Sequence, residues 1–235
     1  MKKYKILGIT LARGGSKSIP NKNIFPINNV PLIAYTFDEV KKSKLITDYI
    51  VSTDSKKIMS ICEKYGVDTP FLRPKKYSND KSSSADALIH AVKFMEKKYR
   101  VKYDFIIELM ATNPLKNYRD IDACIQKLIK TKADSVIAVH KLEDHHPARI
   151  KKIINDKIID FCVEEKKESR RQDLKPYAYV RSGAIYALDR NYLINSIERH
   201  GSKNSRPYIL PLNRSINIDS IEDLITAEYF LKKRN

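Results

Sequence analysis

An α/β chain built on a mostly parallel sheet, covered by helices, is what the 235 residues predict. Apolar runs that suit buried strands alternate with stretches of helical period along most of the length. The strand-like runs are short and continuous, as in strands buried on both faces. Residues that cap helices recur just ahead of the periodic stretches. A chain of this length buries one sizeable core, so a single domain over 1–235 is expected, with room for a small lobe.

The first run, ILGITL at 6–11, follows a basic start and passes directly into the charged segment from Arg13 to Lys22. It reads as a buried strand and not as a secretory leader. Four more strands are expected at 49–52, 105–109, 136–139 and 184–188. Pro31, ahead of Phe37 and Val40, suits the first position of a helix. Leu88, Ala91, Val92 and Met95 recur at i, i+3, i+4 and i+7, and Ile121, Cys124, Ile125 and Leu128 repeat that spacing, so each set marks the apolar face of a helix. Ser83, Asn117 and Ser220 each precede an Asp by three, which resembles a capping box with Asp in place of Glu or Gln. The region at about 140–176 breaks the alternation, being charged and strand-like only around 150–154 and 158–163. It is expected to leave the main sheet as a dimerisation lobe, and hence to make a homodimer.

The formal net charge is +17, but the lysines are scattered in short pairs, with no arginine-rich tail, zinc-finger spacing or RNP-type aromatic motif. No nucleic-acid partner is expected; a basic cleft for a polyanionic small substrate accounts for the charge equally well. No run approaches the ~18 apolar residues of a membrane span, so no membrane partner is expected. Cys62, Cys124 and Cys162 lie far apart without a CxxC pair, which suggests neither a zinc knuckle nor a redox dithiol and fits a reduced, cytoplasmic setting. His145 and His146 have no second cluster to complete a zinc site.

Directly after the first strand come Leu11, Ala12, Arg13, Gly14, Gly15, Ser16 and Lys17, followed at short distance by Lys22 and Asn23. Ligands of open α/β sheets bind beyond the carboxyl ends of the strands, where small residues let backbone amides close on phosphate oxygens. Arg13, Lys17 and Lys22 add positive charge where phosphoryl transfer develops negative charge. Neither GxxxxGK[ST] nor GxGxxG is matched.

Further short motifs accompany that loop in order: Val51-Ser52-Thr53-Asp54, Leu72-Arg73-Pro74, Ser82-Ser83-Ser84, Thr112-Asn113-Pro114-Leu115, His145-His146-Pro147, Arg170-Arg171-Gln172-Asp173-Leu174, Gly183-Ala184-Ile185-Tyr186 and Ile216-Asn217-Ile218-Asp219-Ser220. With them the chain resembles, over nearly its entire length, the acylneuraminate cytidylyltransferases, which include the CMP-sialic, legionaminic and pseudaminic acid synthetases. The resemblance implies a Rossmann-like sheet with helices on both faces, a small dimerisation element, a CTP site and a magnesium ion. It implies that Leu11 to Lys17, Asn23, Arg73 and Ser84 bind the nucleotide, with Arg13 and Lys22 neutralising charge as pyrophosphate leaves. Asp219 becomes the leading magnesium ligand, beside Asn217, where many relatives carry a second Asp.

The acceptor, a nine-carbon sugar acid, is expected to meet Met110, Thr112, Asn113, Arg170, Arg171, Gln172 and Ser182. Arg170 and Arg171 offer a planar fork for its carboxylate. Met110 stands where the relatives have Gln, and Ser182 where Asn is common, which removes hydrogen-bonding functions. These departures weaken N-acetylneuraminate as the substrate and favour a diacetamido acid such as legionaminic acid. The rival readings are a related nucleotidyltransferase using GTP or another acceptor sugar, a nucleic-acid-binding module, and an inactive dimeric scaffold.

Overall fold

A computed structural model describes residues 4–16, 18–79, 82–165 and 170–234. The chain opens with β1 (Ile6–Leu11), a short antiparallel pair, β2 (Pro26–Ile27) and β3 (Val30–Pro31), and helix α1 (Ala34–Lys42). Then come β4 (Asp48–Ser52), α2 (Lys56–Lys64), α3 (Ser84–Tyr99), β5 (Phe105–Leu109), α4 (Tyr118–Thr131) and β6 (Ser135–Lys141). A hairpin, β7 (Lys151–Ile154) and β8 (Lys157–Asp160), is followed by β9 (Tyr179–Asp189), α5 (Arg190–Ser196), β10 (Ser205–Ile209) and α6 (Ile221–Lys232).

The main sheet runs β10-β6-β9-β5-β1-β4. β1 is parallel to β4 and β5, and β10 to β6, whereas β9 is antiparallel to both β5 and β6. The α/β expectation with a mostly parallel sheet and helices on both faces holds. Strand residues alternate between the faces, as a period of two requires. Leu7, Ile9, Ile106 and Leu188 pack against Leu88, Ala91, Val92 and Met95 of α3 and Leu193 of α5. Ile6, Ile107, Leu109, Val136 and Ala187 pack instead against Ile121, Cys124, Ile125 and Leu128 of α4. Each fully buried Val, Leu or Ile among them contributes roughly 1.5–3 kcal/mol.

The caps follow the local spacing. The Ser83 hydroxyl accepts from the Asp86 amide, and both Asn117 and Ser220 form full capping boxes with the Asp three residues on. Pro31 does not open a helix. It pairs with Pro26 across a turn in which Asn28 and Asn29 have φ of 49° and 63°, the geometry of a type I′ hairpin, and α1 begins only at Ala34. β10 was not anticipated, because its five residues include Pro207 and lie partly exposed at the sheet edge.

The β7–β8 hairpin leaves the main sheet within the segment expected to do so, and it turns through Asn155 and Asp156, both with positive φ. Ile153 and Ile158 at its centre are each 77% exposed, and Phe161 beyond it is also exposed.

Candidate active site

A cleft of about 470 Å³ opens beyond the carboxyl ends of β1 and β5. Its floor at β1 is shaped by two residues that do not line it. Ala12 is fully buried, its amide donating to the Ser52 carbonyl at 3.0 Å. The Gly14 amide donates to Asp54 Oδ1 at 2.8 Å, and a Cβ on Gly14 would lie 2.8 Å from Ser55 Cβ, so the loop approaches α2 as only glycine allows. Leu11, Arg13, Gly15, Ser16, Lys22 and Asn23 do line the cleft. Asn23 closes the loop by donating from Nδ2 to the Arg13 carbonyl at 3.0 Å. Lys17 lies outside the described residues.

Arg73 forms the facing wall, 5% exposed, donating from Nε to Ser78 Oγ at 3.0 Å and from Nη1 to the Ser52 carbonyl at 3.3 Å. Burial pushes its guanidinium below the usual value, with Asp54 opposing; a bound anion would offset that cost. Tyr77, Ser78, Asn79 and Ser82 continue the wall to Ser83 and Ser84, at the positive end of the α3 dipole.

On the third side a hydrogen-bonded chain runs from β5 to the loop before α6. Thr112 Oγ1 donates to Asn217 Oδ1 at 2.6 Å, Asn217 Nδ2 to Asp219 Oδ2 at 2.5 Å, and Lys22 Nζ to Asp219 Oδ1 at 2.7 Å. Lys22 also donates to the Ile218 carbonyl at 2.9 Å. Asp223 Oδ2 accepts from the amides of Asp219 and Ser220, so the capping box of α6 also holds the backbone of Asp219. The Asp219 side chain is 69% exposed at the cleft, while Lys22 is largely covered.

Among the described residues there is no group of three or more His, Cys, Asp or Glu to cage a metal. The exposed carboxylate of Asp219 fits magnesium, a hard ion that takes one or two protein oxygens and completes its shell with phosphates and water; Asn217 turns its Nδ2 to Asp219 and its Oδ1 to Thr112, so its amide would have to turn over to add a second oxygen.

The segment after β5 is fixed from below by Lys116, which is 1% exposed. Its Nζ donates to Met110 O at 2.7 Å, Asn113 O at 2.8 Å and Thr36 Oγ1 at 2.9 Å. Burial pulls this ammonium down to about 7, with Glu39 the leading opposing charge. Met110 and Thr112 therefore line the cleft, whereas Asn113 is wholly buried behind them.

Met110 also borders a neighbouring hollow of about 550 Å³, together with Ser182, Gly183 and Asn217. Ser182 is buried and donates to the Ala138 carbonyl at 3.0 Å, where the β6–β9 register shifts. Gly183 follows with φ of +71°.

Arg170, Arg171 and Gln172 line neither cleft nor hollow within one chain. Arg170 pairs with Asp173 and Arg171 with Asp144, and Arg171 and Gln172 border a separate small cavity beside His146. Among the residues that escaped the sequence reading, two form an ion pair between the cleft and the hollow. Glu108, 2% exposed, lines the cleft, and Arg199 Nη1 donates to its Oε2 at 2.7 Å. Burial raises the Glu108 pKa and Arg199 opposes the rise. The signal was there for Glu108: a lone carboxylate inside the apolar run Ile106-Ile107-Glu108-Leu109, in phase with Ile106.

Cations and a helix start around one cleft, with a single exposed carboxylate opposite, make a site for a polyanion and its counter-ion. The sequence profile described as cytidylyltransferase matches residues 7–232. The chain belongs to the cytidylyltransferase family. As a cytidylyltransferase it is a nucleotidyltransferase, and its similarity to sugar-acid members covers almost all of it. It is 31% identical to the pseudaminic acid cytidylyltransferase of Campylobacter jejuni over 235 residues, 97% of either chain. To the CMP-N,N'-diacetyllegionaminic acid synthase of the same species it is 28% identical, over 98% of this chain and 97% of that one. The resemblance to the acylneuraminate, legionaminic and pseudaminic acid cytidylyltransferases is thereby borne out. Among solved structures the fold is similar to CMP:2-keto-3-deoxy-manno-octonic acid synthetase in complex with CTP. The TM-score is 0.71 at 18% identity, covering 98% of this chain and 100% of that one.

Proposed function

We propose that this cytidylyltransferase joins CMP from CTP to the anomeric hydroxyl of a nonulosonic acid, legionaminic acid or a related diacetamido acid, and releases pyrophosphate. The observation that carries the reading is the convergence of Arg13, Lys22 and Arg73 on one cleft at the sheet edge, with Asp219 and Asn217 on its third side. Gly15, Ser16, Arg13 and Lys22 take the triphosphate; Asn23, Arg73 and Ser84 frame the cytidine. The acceptor oxygen attacks the α-phosphorus in line. The new P–O bond forms as the bond to the bridging α,β-oxygen breaks; pyrophosphate carries that electron pair away, and the hydroxyl's proton is released to solvent.

Asp219, with the amide of Asn217 turned over, would hold a magnesium ion, which would supply charge neutralisation at the phosphate oxygens. Lys22 sits between the β1 loop and Asp219, so its ammonium exchanges the carboxylate for a phosphate when the nucleotide enters. Met110, Thr112 and Ser182 shape the acceptor side, and Asn113 backs that segment. The apolar Met110 suits an acetamido methyl better than a hydroxyl, and the names of the two Campylobacter relatives support an acid of this class.

The exposed Ile153, Ile158 and Phe161 of the lobe supply an apolar surface for a homodimer. Arg170, Arg171 and Gln172 reach an acceptor only through such an assembly. No helix of the described residues is long and apolar enough to cross a membrane.

The test is pyrophosphate release with each of the four nucleoside triphosphates, offered with 5,7-diacetamido and 5-acetamido nonulosonic acids in turn. CTP with a diacetamido acid should give the highest kcat/KM. Preference for GTP or for a sugar phosphate would establish the rival nucleotidyltransferase reading, and no release with any acid would overturn the proposal.

A further inference from the structure

The net charge of +17 is not confined to the cleft, whose lining holds Arg13, Lys22 and Arg73. More cations gather at the opposite edge of the sheet. Helix α3 starts at the cleft with Ser84 and ends 16 residues later at Tyr99, roughly 24 Å away along its axis. The chain then enters the amino end of β5, whose carboxyl end borders the cleft. Lys97, Lys98, Arg100 and Lys102 are exposed on this far side, and Lys5 joins them at the start of β1, where its carbonyl accepts from the Asp104 amide. Lys132 and Lys203, exposed ahead of β6 and β10, extend the same edge, the Lys132 carbonyl accepting from Asn204 Nδ2.

None of these cations forms an ion pair among the described residues. The carboxylates of the same edge are engaged by other groups. Glu96 accepts from Arg190 and from the Tyr103 amide, Asp104 from the Lys5 amide, Asp48 from the Thr47 hydroxyl, and Asp189 caps α5. Lys97 and Lys98 complement the negative end of the α3 dipole, but Lys5, Lys102 and Lys203 stand at no helix end. Tyr99, 46% exposed, lies among these cations, with the Lys98 ammonium 5.1 Å from its ring centroid.

We infer that this edge docks the protein on an anionic phospholipid surface, with the cleft turned away from the lipid and open to its ligands. Such peripheral docking needs no apolar span, so the expectation of no membrane partner, which rested on the lack of one, does not bear on it. Each Lys or Arg near an anionic bilayer strengthens the partition by roughly fivefold, and an exposed tyrosine suits the level of the headgroups. A nucleic-acid duplex fits less well. A helix that reads a groove lies in it, whereas α3 buries its flank against the sheet and presents only its carboxyl end.

The test is co-sedimentation of the purified protein with vesicles of phosphatidylcholine alone, or of phosphatidylcholine and phosphatidylglycerol in equal parts. Wild type is compared with Lys97→Gln/Lys98→Gln/Lys102→Gln and with Lys56→Gln/Lys57→Gln/Lys233→Gln, which loses the same charge on α2 and beyond α6. All these side chains are exposed, so the thermal melts should match. Wild type should sediment with the mixed vesicles alone and be released by rising salt. The first variant should lose about tenfold or more in partition, and the second less than about threefold. Equal losses in the two variants would make net charge the cause and overturn the inference, as would wild-type protein that stays in solution with the mixed vesicles. A gel shift of duplex DNA at protein concentrations where those vesicles capture nothing would make nucleic acid the partner and overturn it as well.

Discussion

The exposed carboxylate of Asp219 and the bare Cα of Gly14 do different work at the same cleft. Asp219 is anchored by its backbone through Asp223, and Lys22 keeps the Ile218 carbonyl as a partner when the exposed Asp219 side chain is removed. Asp219→Ala should lose most magnesium-dependent turnover while the thermal melt stays in place; turnover near wild type would refute the metal assignment. Gly14→Ala drives a methyl to 2.8 Å from Ser55 Cβ, whereas the Cβ of Gly15→Ala would meet nothing within 4 Å. The first should cost about 1–3 kcal/mol of stability as overpacking does, and raise the KM for CTP, with the second milder in both. Urea unfolding and steady-state kinetics of the two variants check this. Most of these cleft residues were legible in the sequence because they are local, following a recognisable strand by a few positions. Arg199 was not: its partner Glu108 is 91 residues away, and nothing in an arginine's neighbourhood reveals which carboxylate it meets.

The segment joining β5 to α4 depends on a titratable clamp. Lys116 is held down to about 7 by burial, from an unfolded value of 10.5. Between those values the unfolded chain binds more protons than the folded one, so this group makes stability rise with pH across that window. The unfolding free energy of wild type relative to Lys116→Met should therefore grow between pH 7 and pH 9 in urea titrations; a flat or falling difference would contradict the clamp's burial. Helix starts could be read from sequence because a cap and its Asp lie three residues apart. Strand direction could not: β9 looks like any apolar run, and only its pairing with β5 and β6 makes it antiparallel. Pro31 misled for a related reason, since its φ suits a first helical turn and an edge strand alike.

At the scale of the molecule, the proposed assembly rests on the hairpin β7–β8. Ile153 and Ile158 are exposed at the hairpin's centre, and under the proposed homodimer Ile153→Lys with Ile158→Lys should yield a monomer in analytical ultracentrifugation where the wild type sediments as a dimer. A wild-type monomer at micromolar concentration would remove the lobe's proposed role. The order of motifs made the family visible, together with most residues of the proposed nucleotide cleft. The hollow beside Met110 was hidden, because β5, β6, β9 and the stretches around 199 and 212–217 converge only in three dimensions.

A crystal structure with CTP and magnesium examines the account most directly. The triphosphate should lie along Gly15, Ser16 and Lys22, the base between Arg73 and Ser84, and the metal on Asp219, with Lys22 drawn away from that carboxylate. A nucleotide bound elsewhere, with the edge beyond β1 empty, would contradict it.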